Sequence, residues 1–181
     1  VLAPPADDLA HPAFGKLFIE TEFDPQSAGL IFTRRPRAAD ESPAVGFHVL
    51  GVDGRRLRGA VEWETDRARF IGRGRAHANP AAVEGPGLSG TTGAVLDPIF
   101  SLRRRVRLAP GATARVAFWT LVASSRAEVL DLIDKHQEAL AFDRAVTLAW
   151  TQAQVQLHHL GIDRDEAHLF QQLANHVLYA E

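Results

Sequence analysis

Arginine side chains give this sequence its best means of binding a ligand. Lys16 and Lys135 are the only lysines, so nearly all of the permanent positive charge is carried by arginine. The planar guanidinium group donates paired hydrogen bonds to phosphate and to sugar hydroxyls. Arg73 and Arg75 alternate with glycine in the segment Gly72–Arg75, and one interpretation is a loop whose arginines bind a ligand. The alternative is a solvated turn after a strand, in which glycine supplies backbone freedom.

A second set of arginines, Arg103, Arg105 and Arg107, alternates along a predicted strand and therefore shares one face. Such a face could attract an anionic partner, but we interpret it as a solvated or interdomain face of a sheet. Glu62 and Glu64 are able to pair with these arginines across strands. The net charge of −2 gives the chain no general positive field, so we predict no nucleic-acid partner.

Carboxylates also occur in alternating pairs, Glu20 with Glu22 and Glu62 with Glu64. Hydrolysis of a glycosidic bond uses two carboxyl groups roughly 5–10 Å apart. The sequence around these pairs contains no apolar pocket that would raise a carboxyl pKa, so we predict that they are exposed to solvent. Asp97 precedes a proline, which is an ordinary way to start a turn, and we interpret it as structural. No catalytic residue is predicted.

Metal and cofactor sites are not predicted either. The chain has no cysteine, which excludes disulfides and thiolate ligands. His158 and His159 are adjacent, and neighbouring positions on a helix point about 100° apart. His168 and His176 do not complete a metal-ligand spacing with them. We interpret these histidines as helix-surface or packing residues.

The period of the apolar residues changes near Ser124. Before it, apolar side chains recur at every second position between Gly and Pro, and after it they recur about every 3.6 positions. This predicts strands at 17–23, 29–34, 45–52, 60–66, 102–108 and 113–122, with a short strand at 88–95 inside the long segment 72–98. It also predicts helices that start with capping boxes near Ser125 and Asp163, and a helix over 141–160.

These elements predict a mainly β fold with helices: an antiparallel β-sandwich domain at 1–123 and linker helices at 124–181. The turn 109–112 is expected to close a hairpin between strands 102–108 and 113–122. Trp63 lies in the apolar phase of its strand and is expected in the core, whereas Trp119 is expected to pack either on the helices or on the helical barrel that the resemblance described below implies. Because the chain begins with Val1 and contains no Met, we expect a piece of a longer polypeptide. Its composition, and the lack of an apolar run of the ~20 residues that span a bilayer, predict that this piece is soluble.

Three segments of the chain resemble a known enzyme family. They are Glu64–Arg75 (ETDRARFIGRGR), Leu88–Arg103 (LSGTTGAVLDPIFSLR) and Gln156–Ile162 (QLHHLGI). They are similar to the amino-terminal part of the cellobiose phosphorylase family of glycoside phosphorylases. The similarity is greatest to the carboxy-terminal phosphorylase-like region of cyclic β-1,2-glucan synthases, and it extends over most of the chain.

The resemblance implies a large antiparallel sandwich of the galactose-mutarotase-like supersandwich type, followed by helices that lead toward an (α/α)6 barrel. In such enzymes the barrel holds the general-acid Asp and the phosphate site, and this chain is expected to stop as the barrel begins. The implied partners are β-glucan oligosaccharide, phosphate, the barrel of the same polypeptide and a second copy in a homodimer. The resemblance also implies that the loop with Arg73 and Arg75 reaches the mouth of the barrel, and we predict on this ground that the two arginines bind substrate. The implied location of the longer protein is the bacterial inner membrane, on its cytoplasmic side.

The function that the resemblance implies is non-catalytic. The chain would be the sandwich of a glucan phosphorylase-like module that trims β-1,2-glucan by phosphorolysis during cyclic glucan synthesis. The alternative is a free-standing carbohydrate-binding module with no catalytic partner.

Overall fold

The computed structural model describes residues 10–36, 41–53, 57–136 and 140–178, without the side chains of residues 12, 52–53 and 57–59. The chain forms two compact units, residues 1–137 and 138–181. The domain boundary that we place after residue 123 stays a prediction.

The first unit contains all the strands of the described residues. Its elements are α1 (Pro12–Lys16), β1 (Ile19–Asp24), β2 (Gly29–Arg34), β3 (Ala44–Asp53), β4 (Leu57–Asp66), α2 (Arg67–Ile71), α3 (Ala81–Glu84), β5 (Gly93–Ala94), β6 (Pro98–Val106), β7 (Arg115–Ala123) and α4 (Arg126–His136). The second unit contains α5 (Ala141–Leu160) and α6 (Arg164–Leu178).

A five-stranded antiparallel sheet, in the order β5-β1-β2-β3-β7, forms the centre of the first unit. Its middle strand β2 is a continuous apolar run rather than an alternating one, which is typical of a strand covered on both faces. Leu30, Ile31 and Phe32 are all buried accordingly. The central sheet therefore carries a hydrophobic core on each side.

Helix α4 covers one face of the central sheet. Val129 and Ile133 project from the helix into a cluster with Ile31, Phe47 and Val49. Burial of apolar surface of this kind is the main stabilising term of a fold. The predicted helix is confirmed, and its apolar stripe is what holds it against the sheet.

The other face of the central sheet is covered by the two-stranded antiparallel sheet β4-β6. Trp63 of β4 stacks on Phe23 of β1 with ring centroids 3.7 Å apart. Phe100 of β6 contacts Phe32 of β2 with centroids 4.5 Å apart. Strand β4 thus lies over β1, and β6 lies over β2. The predicted sandwich is confirmed, as is the core position of Trp63.

The predicted hairpin across residues 109–112 is wrong. Strand β6 pairs with β4, whereas β7 pairs with β3, so the turn joins two different sheets. The reason lies in packing: Leu102 of β6 enters the core between the sheets, while Trp119 and Leu121 of β7 pack against the α4 side.

The start of α4 partly follows the predicted capping box. The Ser125 hydroxyl accepts a hydrogen bond from the Glu128 backbone N–H at 3.2 Å, as expected. The Glu128 carboxylate, however, accepts from the hydroxyl and backbone N–H of Ser124 rather than from Ser125. Arg126 donates two hydrogen bonds of 2.8 Å to the carboxylate of Glu22 in β1, which fixes the helix start to the sheet.

In the second unit the end of α5 and the start of α6 follow sequence signals. Gly161 ends α5 in the left-handed conformation, with φ of +67°. Asp163 accepts hydrogen bonds from the backbone N–H groups of Asp165 and Glu166, and the Glu166 carboxylate accepts from the Asp163 N–H, so this capping box is reciprocal. Both helices expose apolar side chains, among them Trp150, Phe170 and Val177.

Candidate functional site

The segment of residues 72–97, here called the bridging segment, crosses the outer face of the β4-β6 sheet and carries Arg73 and Arg75. A cross-strand ion pair between Glu62 and Arg103 holds its middle. Glu62 also accepts a hydrogen bond of 3.0 Å from the backbone N–H of Leu88. Arg103 donates to the backbone carbonyls of Ala82 and Gly85 at 3.0 and 3.2 Å. The expected cross-strand pairing of Glu62 with an arginine is confirmed.

Glu64 is the most buried charged side chain of this region, with 2% of its surface exposed. Its Oε1 atom accepts from the backbone N–H groups of Thr65 and Asp66 at 3.0 and 2.9 Å, and its Oε2 atom accepts from the Ser89 hydroxyl. The predicted solvent exposure of Glu64 is wrong. Strand alternation assigns it to the outer face of the sheet, but the bridging segment covers that face.

Hydroxyl groups fix the end of the bridging segment. The Thr65 hydroxyl accepts from Thr21 and donates to the carbonyl of Thr91, both at 2.9 Å. The backbone N–H of Gly90 donates to the Trp63 carbonyl at 2.9 Å, so the bridging segment binds the edge of β4 that does not pair with β6. Residues Gly93–Ala94 then pair with β1 as β5, so the short strand predicted within 88–95 is confirmed.

Asp97 directly precedes β6 and connects α1 and α2 to the start of this strand. Its carboxylate forms ion pairs with Lys16 at 2.8 Å and Arg67 at 2.9 Å, and its carbonyl accepts from the Arg67 backbone N–H at 3.1 Å. The Lys16 hydrogen bond is the largest effect on this group and, with Arg67, keeps the pKa of Asp97 below its ordinary value. A carboxylate held in its charged form suits positioning and not proton donation.

Arg73 and Arg75 lie in a turn of two left-handed glycines that follows α2. Gly72 has φ of +83°, and a Cβ atom there would stand 2.7 Å from the Cβ of Ala81, so this position requires glycine. Arg75 forms an ion pair with Glu84 and donates to a backbone carbonyl at 3.4 Å. Arg73 is exposed. Their role in substrate binding stays a prediction.

Beside this turn, the bridging segment and β4 enclose a depression of about 410 Å³. Arg69 of α2 lines it, and its Nε atom lies 3.7 Å from Oδ2 of Asp66, the residue that caps the helix. Sequence reasoning did not single out Arg69, because one arginine in a five-residue helix has no spacing signal. The remaining lining residues are Glu64, Ala81, Ala82, Gly87, Leu88 and Ser89.

Charge pairing lowers the pKa of the carboxyl groups around the sandwich. The side-chain hydrogen bond from Arg103 lowers the pKa of Glu62, and that from Arg126 lowers the pKa of Glu22. A general acid for glycosidic bond cleavage needs a raised pKa, which an apolar environment produces. These carboxylates are therefore suited to binding and positioning other groups in their charged form.

The histidines named above lie on exposed surface of the second unit. His158 and His159 are exposed at the end of α5, and His168 and His176 are exposed on α6. Across the part of the chain that the structure describes, His, Asp and Glu side chains form no group of three able to hold a metal ion.

Comparison with known proteins assigns the sandwich to a family. Residues 1–139 match the supersandwich domain of glycosyl hydrolase 94, and the chain belongs to this family. The chain is also 38% identical, over 182 aligned residues, to the cyclic beta-(1,2)-glucan synthase NdvB of Rhizobium meliloti (strain 1021). The match covers all of this chain and 6% of that relative's length. The resemblance stated from the three sequence segments is confirmed.

No helix in the described ranges is both long and apolar enough to cross a membrane.

Proposed function

We propose that this chain is the non-catalytic sandwich of a glucan phosphorylase-like module. The arrangement of its carboxylates carries the proposal. Glu62 and Asp97 are committed to arginine and lysine partners that stabilise their charged forms, and Glu64 accepts three hydrogen bonds. A protein group that protonates a leaving sugar oxygen needs a raised pKa and a free path to substrate. These carboxylates serve the fold instead.

In the longer protein the module trims β-1,2-glucan by phosphorolysis during cyclic glucan synthesis. The support is the family membership and the 38% identity to a cyclic glucan synthase. A helical barrel of the same polypeptide supplies the general acid and the phosphate site. The longer protein is located at the bacterial inner membrane on the cytoplasmic side, and the sandwich also provides a homodimer contact.

The bridging segment contributes to substrate binding through Arg73 and Arg75. Glu62 and Arg103 bind its backbone, and Glu64 accepts a hydrogen bond from the Ser89 hydroxyl, so the turn that carries the two arginines is attached to a fixed support. Because the backbone of the segment is already ordered, its guanidinium groups bind phosphate or sugar hydroxyls without the added cost of ordering the loop. The ligand that these two arginines bind is β-glucan oligosaccharide or phosphate in the cleft of the barrel.

Phosphorolysis assays test this division of labour. The 181-residue chain, incubated with linear β-1,2-glucan and phosphate, is expected to release no glucose 1-phosphate, whereas the longer protein releases it. Release by the 181-residue chain would refute a non-catalytic role. An inactive longer protein, assayed under conditions in which it synthesises cyclic glucan, would refute phosphorolytic trimming.

A free-standing carbohydrate-binding module is the second candidate, and the exposed ring of Phe118 favours it, since sugar rings stack on exposed aromatic side chains. Phe118 is 58% exposed, and its ring centroid lies 5.8 Å from that of His48, which is hydrogen-bonded to the Thr120 hydroxyl. Calorimetric titration with linear β-1,2-glucan separates the candidates. Micromolar affinity in the 181-residue chain that is lost in Phe118→Ala supports the binding module, and absent binding supports a cleft shared with the barrel.

A further inference from the structure

The turn at residues 72–75, here called the arginine turn, is tied to the rest of the sandwich through His77. Among the described residues, 73–79 make their other hydrogen bonds within the bridging segment. The Nε2 atom of His77 instead lies 3.1 Å from the Nε atom of Arg67, and the Nη2 atom of Arg67 contacts it as well. Arg67 is the first residue of α2. The contact therefore closes a loop that contains α2 and the arginine turn.

Arg67 is fixed on its other side by Asp97, the residue before β6. The Nη1 atom of Arg67 donates to Oδ2 of Asp97 at 2.9 Å, and the backbone N–H of Arg67 donates to the Asp97 carbonyl at 3.1 Å. Lys16 of α1 binds the second carboxylate oxygen. Lys16 and Arg67 keep the pKa of Asp97 below its ordinary value, so this carboxylate stays charged throughout the range in which histidines titrate. His77 is therefore bound to a guanidinium group whose position the sandwich sets.

Only a neutral imidazole can make this contact. Arginine has donors and no acceptor, so Nε2 of His77 must accept, and the ring proton is on Nδ1. A protonated imidazole has no lone pair to offer and would place a second positive charge beside Arg67. Histidine is the side chain that ordinarily changes its charge between about pH 5 and 8. The carboxylates near this contact are already paired with cations. The other charged groups on the elements that meet here are Lys16 and Asp97, Asp66 and Arg69, Arg75 and Glu84, and Arg73.

We propose that His77 is a positioning residue for the arginine turn: its neutral imidazole ties the far side of the turn to Arg67, and protonation of the imidazole releases it. The turn then samples several conformations, and a ligand must order it at a cost in conformational entropy. Binding through the arginine turn therefore weakens as the pH falls. The tie itself rests on the geometry of His77 and Arg67, whereas its consequence for substrate rests on the function proposed above for Arg73 and Arg75.

Backbone amide relaxation measured by NMR on the 181-residue chain tests the tie. The order parameters of residues 73–79 are expected to be about 0.85 at about pH 8 and below about 0.6 at about pH 5. His77→Gln keeps an acceptor oxygen that does not titrate, so the turn should stay ordered at both pH values. His77→Leu removes the acceptor, so the turn should be mobile at both.

The matched control is His176→Gln, the same substitution at an exposed histidine of α6, which should keep the pH dependence of the unsubstituted chain. A turn that stays ordered in His77→Leu would overturn the proposal. So would a turn in His77→Gln that loses its order in acid as the unsubstituted chain does.

Steady-state kinetics of the longer protein test the consequence for substrate. The KM for glucan of the unsubstituted protein, divided by that of His77→Gln, is expected to be close to one at about pH 8 and roughly threefold to tenfold at about pH 5. Taking the ratio at each pH removes the titration of phosphate and of other protein groups. A ratio of one at both pH values, with turn order that follows His77, would uphold the tie and remove the arginines from substrate binding. The two proposals can therefore fail separately.

Discussion

The aromatic ring of Phe32 lies directly across Gly46, its cross-strand partner in β3. A Cβ atom on residue 46 would overlap the ring, which is itself held from the other side by Phe100 with centroids 4.5 Å apart. Because Gly46 has no side chain, the neighbouring strand can carry the large ring of Phe32 at the position opposite it. An aromatic ring over a glycine is a known means of fixing strand register.

The first prediction concerns this pair. Gly46→Ala is expected to lower the free energy of unfolding by about 1–3 kcal/mol, because the ring of Phe32 must move in a filled core. Urea unfolding followed by tryptophan fluorescence measures the change. The matched control is Gly51→Ala on the same strand, where the nearest atom to a new Cβ stands 3.8 Å away. Equal losses in the two variants would contradict the role given to Gly46.

The buried carboxylate of Glu64 supports the second prediction. Glu64→Ala is expected to cost about 1–3 kcal/mol, since it leaves the Thr65 and Asp66 N–H groups without their acceptor. Glu64→Gln keeps one carbonyl oxygen for those two groups and is expected to cost less. Exchange of the Ser89 and Gly90 amides should accelerate in the alanine variant and change little in the glutamine variant. Unchanged exchange in both variants would show that Glu64 does not hold the bridging segment.

Much of this architecture could be predicted from the sequence because it depends on local periodicity. The alternation around Trp63 places its ring in the core, and Asp163 and Glu166 predict a helix start that the structure has. Local periodicity does not show whether a distant part of the chain covers a side chain. Nothing in the alternation around Glu64 shows that a segment 25 residues later in the chain closes over it. The turn after β6 likewise has the residues of a hairpin, but the long-range pairing of β6 with β4 and of β7 with β3 puts the two strands in different sheets.

The third prediction is a pH dependence at Asp97. The hydrogen bonds from Lys16 and Arg67 depress the pKa of Asp97 in the folded chain, so its contribution to stability is complete above the ordinary pKa of an aspartate. It is lost as the pH falls through the depressed value. The pairs are about one-third exposed, so the contribution is at most about 1 kcal/mol.

Thermal unfolding of Asp97→Asn across this acidic range measures the effect. The difference from the unsubstituted chain is expected to be largest near neutral pH and to shrink as the pH falls. Asp131→Asn is the control, because Asp131 and its partner Lys135 lie one turn apart on the solvent side of α4 and both side chains are more than 60% exposed. A difference for Asp97→Asn that grows toward low pH would contradict the assigned sign.

The fourth prediction separates the two arginines of the bridging segment. Arg75 is engaged with Glu84 in an exposed pair, so Arg75→Ala affects both the turn and any ligand, and its effect on stability is expected to be below about 1 kcal/mol. Arg73 is exposed, and Arg73→Ala should leave the thermal stability unchanged. If the segment binds phosphate or sugar hydroxyls, loss of one charged hydrogen bond should weaken binding by about 1.5–3 kcal/mol.

In the longer protein this loss should appear as a KM for phosphate or glucan raised by roughly tenfold or more in Arg73→Ala, with the smaller change in kcat that uniform loss of binding produces. Arg107→Ala is the matched control, since Arg107 is also exposed but lies beyond β6 and outside the bridging segment. Because both variants remove one exposed guanidinium group, a general loss of positive charge would affect them alike. A KM for Arg73→Ala equal to that of the control would remove Arg73 from the binding site.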